Sequence, residues 1–85
     1  MSIIYIGKKP VMNYVVACMT SLNQDQHAIL KARGQTISRL VDAVEVLRNQ
    51  FRKDVEITGI EIGTEVLDTE EGPRRVSTME ITLRS

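Results

Sequence analysis

The chain has few of the residues from which cross-linked, metal-bound or membrane-spanning proteins are built. Its 85 residues include one cysteine, one histidine, one phenylalanine, two prolines and no tryptophan. The single Cys18 cannot form an internal disulfide, which favours a reducing compartment, and its apolar neighbours predict a buried, inert thiol. One cysteine and one histidine are too few for a zinc site. No apolar run approaches about 20 residues and no basic-then-apolar leader follows Met1, so we expect neither a membrane-spanning nor a secreted protein.

The chain also lacks net charge, but its charges are unevenly distributed. Residues 1–53 hold eight basic and three acidic residues, a balance of +5, whereas residues 54–85 hold three basic and eight acidic residues, a balance of −5. A polyanion responds to the local electrostatic potential and not to the net charge of the chain. A neutral chain of this kind is therefore compatible with a basic surface.

Apolar periodicity predicts one domain, residues 1–85, with the element order β-α-β-α-β-β. The length suffices for one small core, and the apolar fraction of 42% is too high for a disordered tail. The predicted elements are a strand near Ile3 to Ile6, a helix from Pro10 to about Leu22, a strand from His27 to Arg33, a helix from Gln35 to Phe51, and two final strands around a hairpin tip at 68–73. In this region the apolar residues shift from odd-numbered to even-numbered positions, and the extra residue that this shift requires predicts a β-bulge at Thr58-Gly59. Phe51 is expected to cap the core at the end of the second helix.

This order predicts an α+β fold with a four-stranded mixed sheet. Two consecutive β-α units favour parallel strands with right-handed crossovers, which puts both helices on one face of the sheet. The last two strands pair as an antiparallel hairpin. Because residues 65–77 carry little apolar content, we expect them to protrude beyond the core as a polar arm.

The turn Gly7-Lys8-Lys9-Pro10 is the main candidate for a binding site. Its two ammonium groups lie beside the unsatisfied N–H groups of a helix start, an arrangement that suits phosphate, although a solvated lysine pair is the commoner fate. Since the turns after two parallel strands share one edge of the sheet, cations from both are expected to meet there. The predicted basic surface comprises Lys8, Lys9, Lys31, Arg33 and Arg39.

The hairpin arm is a second candidate. Arg74 and Arg75 are adjacent, so they point to opposite sides of an extended strand, and arginine on a narrow arm suits a minor groove. Asp68, Glu70 and Glu71 oppose this interpretation because they repel phosphates.

Catalysis finds little support, so we predict that the chain is not an enzyme and binds no cofactor. His27 has no base or nucleophile near it in the sequence, and Gly7-Lys8 lacks the upstream glycine and the hydroxyl residue of a P-loop. Tyr14, in the first turn of the first helix, has two alternatives: its hydroxyl donates to a phosphate, or the side chain packs at the helix start.

At these residues the chain resembles the Alba family of archaeal chromatin proteins. The resemblance covers about Ile3 to Arg84, with its pieces in order. These are the run Tyr5 to Val15 with Gly-Lys-Lys-Pro-Val-Met-Asn-Tyr, Lys31-Ala32-Arg33-Gly34, Ile37-Ser38-Arg39, Val41-Asp42, Arg48-Asn49, Phe51, Ile62-Gly63-Thr64-Glu65 and Val76-Ser77-Thr78.

The resemblance implies a fold similar to the C-terminal domain of bacterial translation initiation factor three, a homodimer, and sequence-independent binding of double-stranded DNA, with RNA binding known in the family. The family's DNA contacts correspond to Lys8, Lys9 and Arg33, with Asn13 and Tyr14 near them. Arg74 and Arg75 match the family's arms loosely.

Phe51 matches an aromatic at which dimers meet along DNA, which competes with its role as a core cap. Many members carry arginine where this chain has Gln35, and typical members are basic overall. This departure predicts weaker DNA binding or a heterodimer with a more basic paralogue.

The leading hypothesis is a chromatin protein that coats, bridges or compacts DNA as a dimer, in the cytoplasm and on the chromosome. Acetylation of Lys8 or Lys9 would remove a charge and offers a route of regulation. The alternatives are a protein that stabilises structured RNA and a protein-interaction subunit.

Overall fold

The elements follow one another in the predicted order. The computed structural model describes residues 3–85; Met1 and Ser2, at the start of the predicted domain, lie outside the described residues. The strands and helices are β1 (Ile3–Tyr5), α1 (Val11–Asp25), β2 (His27–Arg33), α2 (Ile37–Val46), β3 (Glu56–Thr69) and β4 (Gly72–Arg84). A 3-10 turn, Gly34–Thr36, precedes α2, and a π-helical turn, Leu47–Phe51, follows it.

The sheet has the predicted mixed topology. Its strand order is β1-β2-β4-β3, with β1 parallel to β2 and the other neighbours antiparallel. The prediction of an α+β fold with a four-stranded mixed sheet is confirmed. None of the helices in the described part of the chain is long and apolar enough to cross a membrane.

Both helices cover one face of this sheet, and strand alternation explains which side chains they cover. Ala28, Leu30 and Ala32 of β2 are buried, whereas the intervening residues of β2 are more exposed. The helices add the other half of the core. The largest fully buried side chains are Leu22, Leu30, Leu40, Leu47, Leu83, Val15, Val44 and Cys18. On the opposite face of the sheet, here called the open face, residues 3–85 form no helix.

Helix α1 extends three residues beyond the predicted end at Leu22. It ends where Gln26 adopts a left-handed conformation (φ 59°) and donates its N–H to the Leu22 carbonyl. Ser21, near the end of α1, is buried. Its hydroxyl donates to the His27 carbonyl at 2.8 Å, which satisfies the buried polar group and ties α1 to β2.

Phe51 does not cap the core, so that prediction is wrong. Its side chain is 46% exposed at the end of the π-helical turn. A π turn contains more residues than an α turn, so the apolar stripe of α2 does not continue in phase to Phe51. Val46 lies off that stripe and still packs partly against the core.

The hairpin β3-β4 contains the predicted bulge and the predicted arm. Ile57 pairs with Leu83 and Gly59 with Thr82, so Thr58 is the extra residue. The ladder continues to the pair Thr69 and Gly72, and the chain reverses at residues 70–71, inside the predicted tip. Most residues of the arm, 65–77, are exposed. The arm lengthens the molecule to 44 Å, against 23 Å and 19 Å in the other directions.

Candidate nucleic-acid interface

The lysine turn, Gly7–Pro10, lies at the edge of the sheet where β1 and β2 both end. Tyr5 is in register with Lys31, and the Ile6 N–H donates to the Lys31 carbonyl at 2.9 Å beyond the end of β1. The chain then turns, and α1 begins at Val11 directly after Pro10, whose fixed φ suits a helix start. The turns after β1 and β2 are therefore neighbours, as parallel pairing predicts.

Tyr14 supports the lysine turn from beneath. Its side chain is only 7% exposed, and its hydroxyl oxygen accepts the N–H of Gly7 at 2.8 Å and of Lys9 at 3.0 Å. Both lone pairs of that oxygen are then in use, so the hydroxyl has only its hydrogen left to donate. Two amides that might have bound a phosphate are occupied from within the protein. The side chain therefore packs at the helix start, and donation of its remaining hydrogen to a phosphate stays a prediction.

Arg39 reaches the same turn from α2. One guanidinium N–H donates to the Lys9 carbonyl at 2.9 Å. Lys8 and Lys9 are exposed, so the turn carries three cationic side chains from two elements. Asn13, in the first turn of α1, is exposed beside them, and its N–H donates to the Pro10 carbonyl at 3.0 Å.

Contrary to the prediction, Lys31 and Arg33 do not join this cluster, because both side chains lie on the open face. Strand alternation places them opposite the buried alanines of β2. Lys31 pairs with Glu80 at 3.4 Å and Arg33 with Glu65 at 3.0 Å. The prediction that five cations share one surface is therefore corrected. Three cations lie at the lysine turn, and the other two lie on the open face in ion pairs with glutamates.

Glu65 and Glu80 are functional candidates that the sequence analysis missed. Together with Glu61 and the two paired cations they line a depression of about 710 Å³ on the open face. Three carboxylates there outnumber two cations, so this depression repels phosphate more than the lysine turn does. No local pattern indicates these pairs, because they depend on how β3 and β4 align with β2.

The arm presents Arg74 and Arg75 to solvent on opposite sides. Arg74 lies across from Leu67 and Arg75 across from Val66. Neither arginine is among the four ion pairs that residues 3–85 form, which involve Lys31, Arg33, Arg48 and Arg52. The acidic side chains at the tip are exposed. Both arginines are therefore available to a partner.

The remaining chemistry-bearing groups have structural surroundings. Burial raises the pKa of the Cys18 thiol to about 12, so the thiol is protonated and unreactive at neutral pH. His27 lies at the start of β2, at the opposite edge of the sheet from the lysine turn. Within residues 3–85, no three His, Cys, Asp or Glu residues are placed to hold a metal ion.

Comparison with known proteins identifies the family. The family model described as Alba matches residues 2–64. The chain is 46% identical over 81 residues to DNA/RNA-binding protein Alba 1 of Archaeoglobus fulgidus, covering 94% of this chain and 91% of the relative. It is 48% identical over 85 residues to DNA/RNA-binding protein Alba of Methanocella arvoryzae, covering 98% and 88%.

A solved structure agrees in fold. Alba from Thermoplasma volcanium superposes with a TM-score of 0.93 at 46% identity and covers 99% of this chain and 100% of its own. The relatives are named as binding proteins, in agreement with the prediction that the chain is not an enzyme. The family model, the identities and the superposition agree with the motifs of the lysine turn, and the chain belongs to the Alba family.

Proposed function

We propose that the chain binds double-stranded DNA without sequence preference and that the lysine turn is the centre of the interface. The observation that carries this proposal is the cluster of Lys8, Lys9 and Arg39. The three are brought together at one helix start, and none forms an ion pair with a carboxylate among residues 3–85. Cations without carboxylate partners neutralise phosphates and release counterions, which supplies most of the free energy of non-specific binding.

The arm extends this interface. It protrudes at the end of the sheet where β2 ends, because Arg33 pairs with Thr78 and β4 runs antiparallel to β2. The arm and the lysine turn therefore lie toward the same end of the molecule. Arg74 and Arg75 enter a minor groove that flanks the phosphates held by the lysine turn.

The working species is a dimer that coats, bridges or compacts DNA in the cytoplasm and on the chromosome. Large apolar side chains left exposed by the single chain support assembly, among them Ile62 at 78% and Phe51 at 46%. Homodimers place two lysine turns and two arms on one duplex. Because the chain has no net charge, pairing with a more basic paralogue would strengthen binding.

Structured RNA is the second candidate ligand. It is favoured by the names of the relatives, which are DNA/RNA-binding proteins. The same cations neutralise an A-form duplex. Competition between DNA and RNA duplexes of equal length and matched sequence, at fixed salt, ranks the two ligands.

The test of DNA binding is the charge-removing double variant Lys8→Ala/Lys9→Ala. We expect weaker binding to any duplex sequence and a salt slope lower by about 0.9 for each lost phosphate contact. Lys53→Ala is the matched control. Lys53 is exposed and lies three residues before the first residue of β3, whose start pairs with the end of β4 at the end of the sheet opposite the lysine turn. Fluorescence anisotropy over a salt series measures both quantities. Unchanged affinity and slope in a folded Lys8→Ala/Lys9→Ala protein would refute the proposal.

A further inference from the structure

Side chains hold the backbone of the lysine turn. Both Gly7 and Lys9 give their N–H groups to the Tyr14 hydroxyl. The Lys9 carbonyl accepts from Arg39. These three bonds join the turn to α1 on one side and to α2 on the other, and none belongs to the ladder of a strand or to the hydrogen bonds of a helix.

Of these three bonds, only the bond from Arg39 comes from a distant part of the chain. Arg39 lies 30 residues from Lys9 in sequence and joins α2 to the turn. Its guanidinium uses one of five N–H donors on the Lys9 carbonyl, so four remain for other acceptors. A planar guanidinium holds a carbonyl in a defined geometry, whereas the ammonium of lysine is strongly hydrated and sits on a flexible stem.

The same bond changes the electrostatics of the turn. A free carbonyl oxygen carries partial negative charge and would repel a phosphate approaching Lys8 and Lys9. The guanidinium covers the carbonyl of Lys9 with a positive group. The surface that the turn presents to a polyanion is then more uniformly positive.

We propose that Arg39 is a positioning residue: it fixes the conformation of the lysine turn, so that Lys8 and Lys9 are presented to phosphates in advance of binding. This inference rests on the proposed function of the turn and adds to it a role that charge alone does not explain. Without the bond, only the two bonds to Tyr14 would hold the turn, so part of its ordering would take place when the ligand binds, and the conformational entropy lost then would reduce affinity.

The first experiment separates positioning from charge. Arg39→Lys retains the positive charge, and we expect it to weaken duplex binding about fivefold with an unchanged salt slope, since the number of neutralised phosphates is preserved. In the Lys8→Ala/Lys9→Ala background only the direct contribution of the charge at position 39 remains, and lysine retains that charge, so we expect the loss caused by Arg39→Lys to shrink to less than about twofold. A loss of the same factor in both backgrounds, or affinity within twofold of wild type, would overturn the inference.

The second experiment needs no nucleic acid. Hydrogen exchange of the Gly7 and Lys9 amides, followed by NMR of the whole chain, reports how well the turn is held. We expect both amides to exchange at least several-fold faster in Arg39→Lys, with core amides such as that of Leu30 unchanged. Equal exchange in the two proteins would overturn the inference. A wild-type protein that binds no duplex would instead refute the proposed function, and amide exchange would still decide the role of Arg39.

Discussion

Replacing Tyr14 with phenylalanine is expected to destabilise the protein through a single oxygen atom. The ring stays in place, so the change isolates the hydroxyl, which accepts the Gly7 N–H at 2.8 Å and the Lys9 N–H at 3.0 Å. A buried donor left without a partner costs about 1–3 kcal/mol. Because the bonds are only partly buried, water would replace part of what is lost at each amide. We therefore expect a loss of about 2 kcal/mol for the pair of bonds.

The chain contains its own control for this change. Tyr5 is the only other tyrosine, its side chain is 70% exposed, and its hydroxyl makes no hydrogen bond to the described residues. Surface changes of this kind usually alter stability by no more than about 0.5 kcal/mol. Tyr5→Phe should therefore match the wild type.

Urea unfolding at one fixed protein concentration measures both variants, since any assembly makes stability depend on concentration. For a domain of this size, about 2 kcal/mol corresponds to a fall in Tm of about 8–16 °C. The slope of the unfolding free energy against urea should not change, because the buried area is preserved. If Tyr14→Phe and Tyr5→Phe unfolded at the same urea concentration, the hydroxyl would not hold the turn and the reasoning would be refuted.

Three further changes test other parts of the structure. Gln26→Gly should stabilise the protein by about 0.5–1 kcal/mol in urea unfolding, because Gln26 ends α1 at φ 59°, where glycine carries no penalty from a Cβ atom. Glu65→Gln should release Arg33 from its ion pair, raise duplex affinity about two- to fivefold and steepen the salt slope by up to about 0.9 in anisotropy titrations. Burial raises the pKa of the Cys18 thiol from its ordinary value of 9.0 to about 12, so the thiol stays neutral in the folded state. Above pH 9 the thiol loses its proton in the unfolded state but not in the folded state, so stability is lost as the pH rises from 9 toward about 12. The free energy of unfolding of the wild type relative to Cys18→Ala should therefore fall by about 1.4 kcal/mol per pH unit above 9.

Each of these changes has a control and an outcome that contradicts it. Gln26→Ala keeps the Cβ strain, so equal stability of the alanine and glycine variants would exclude the left-handed cap as the cause. Glu56→Gln removes an exposed carboxylate at the end of the sheet opposite the lysine turn. A similar gain in duplex affinity in that variant would show that the effect of Glu65→Gln comes from net charge alone. A difference between wild type and Cys18→Ala that does not vary from pH 8 to pH 11 would show that the thiol is not held neutral by burial.

Local patterns in the sequence were sufficient to predict the element order and the exposure of many positions. The alternation in β2 separated buried alanines from the polar side chains between them. The shift from odd-numbered to even-numbered apolar positions near Gly59 located the bulge, and the motif around the lysine turn indicated the family and predicted the edge at which we propose that nucleic acid binds. These features depend on residues a few positions apart, whose relative directions are set by the geometry of a helix or a strand. They are therefore encoded locally.

The tertiary structure alone decided which groups are available for binding. Arg33 and Glu65 are 32 residues apart, and their ion pair depends on how β3 and β4 align with β2. Arg39 reaches Lys9 only because α1 and α2 pack side by side on one face. The Tyr14 hydroxyl holds the turn from within by accepting two of its N–H groups. The sequence by itself determined where the cations lie along the chain, and long-range packing and strand register decided which of them remain free.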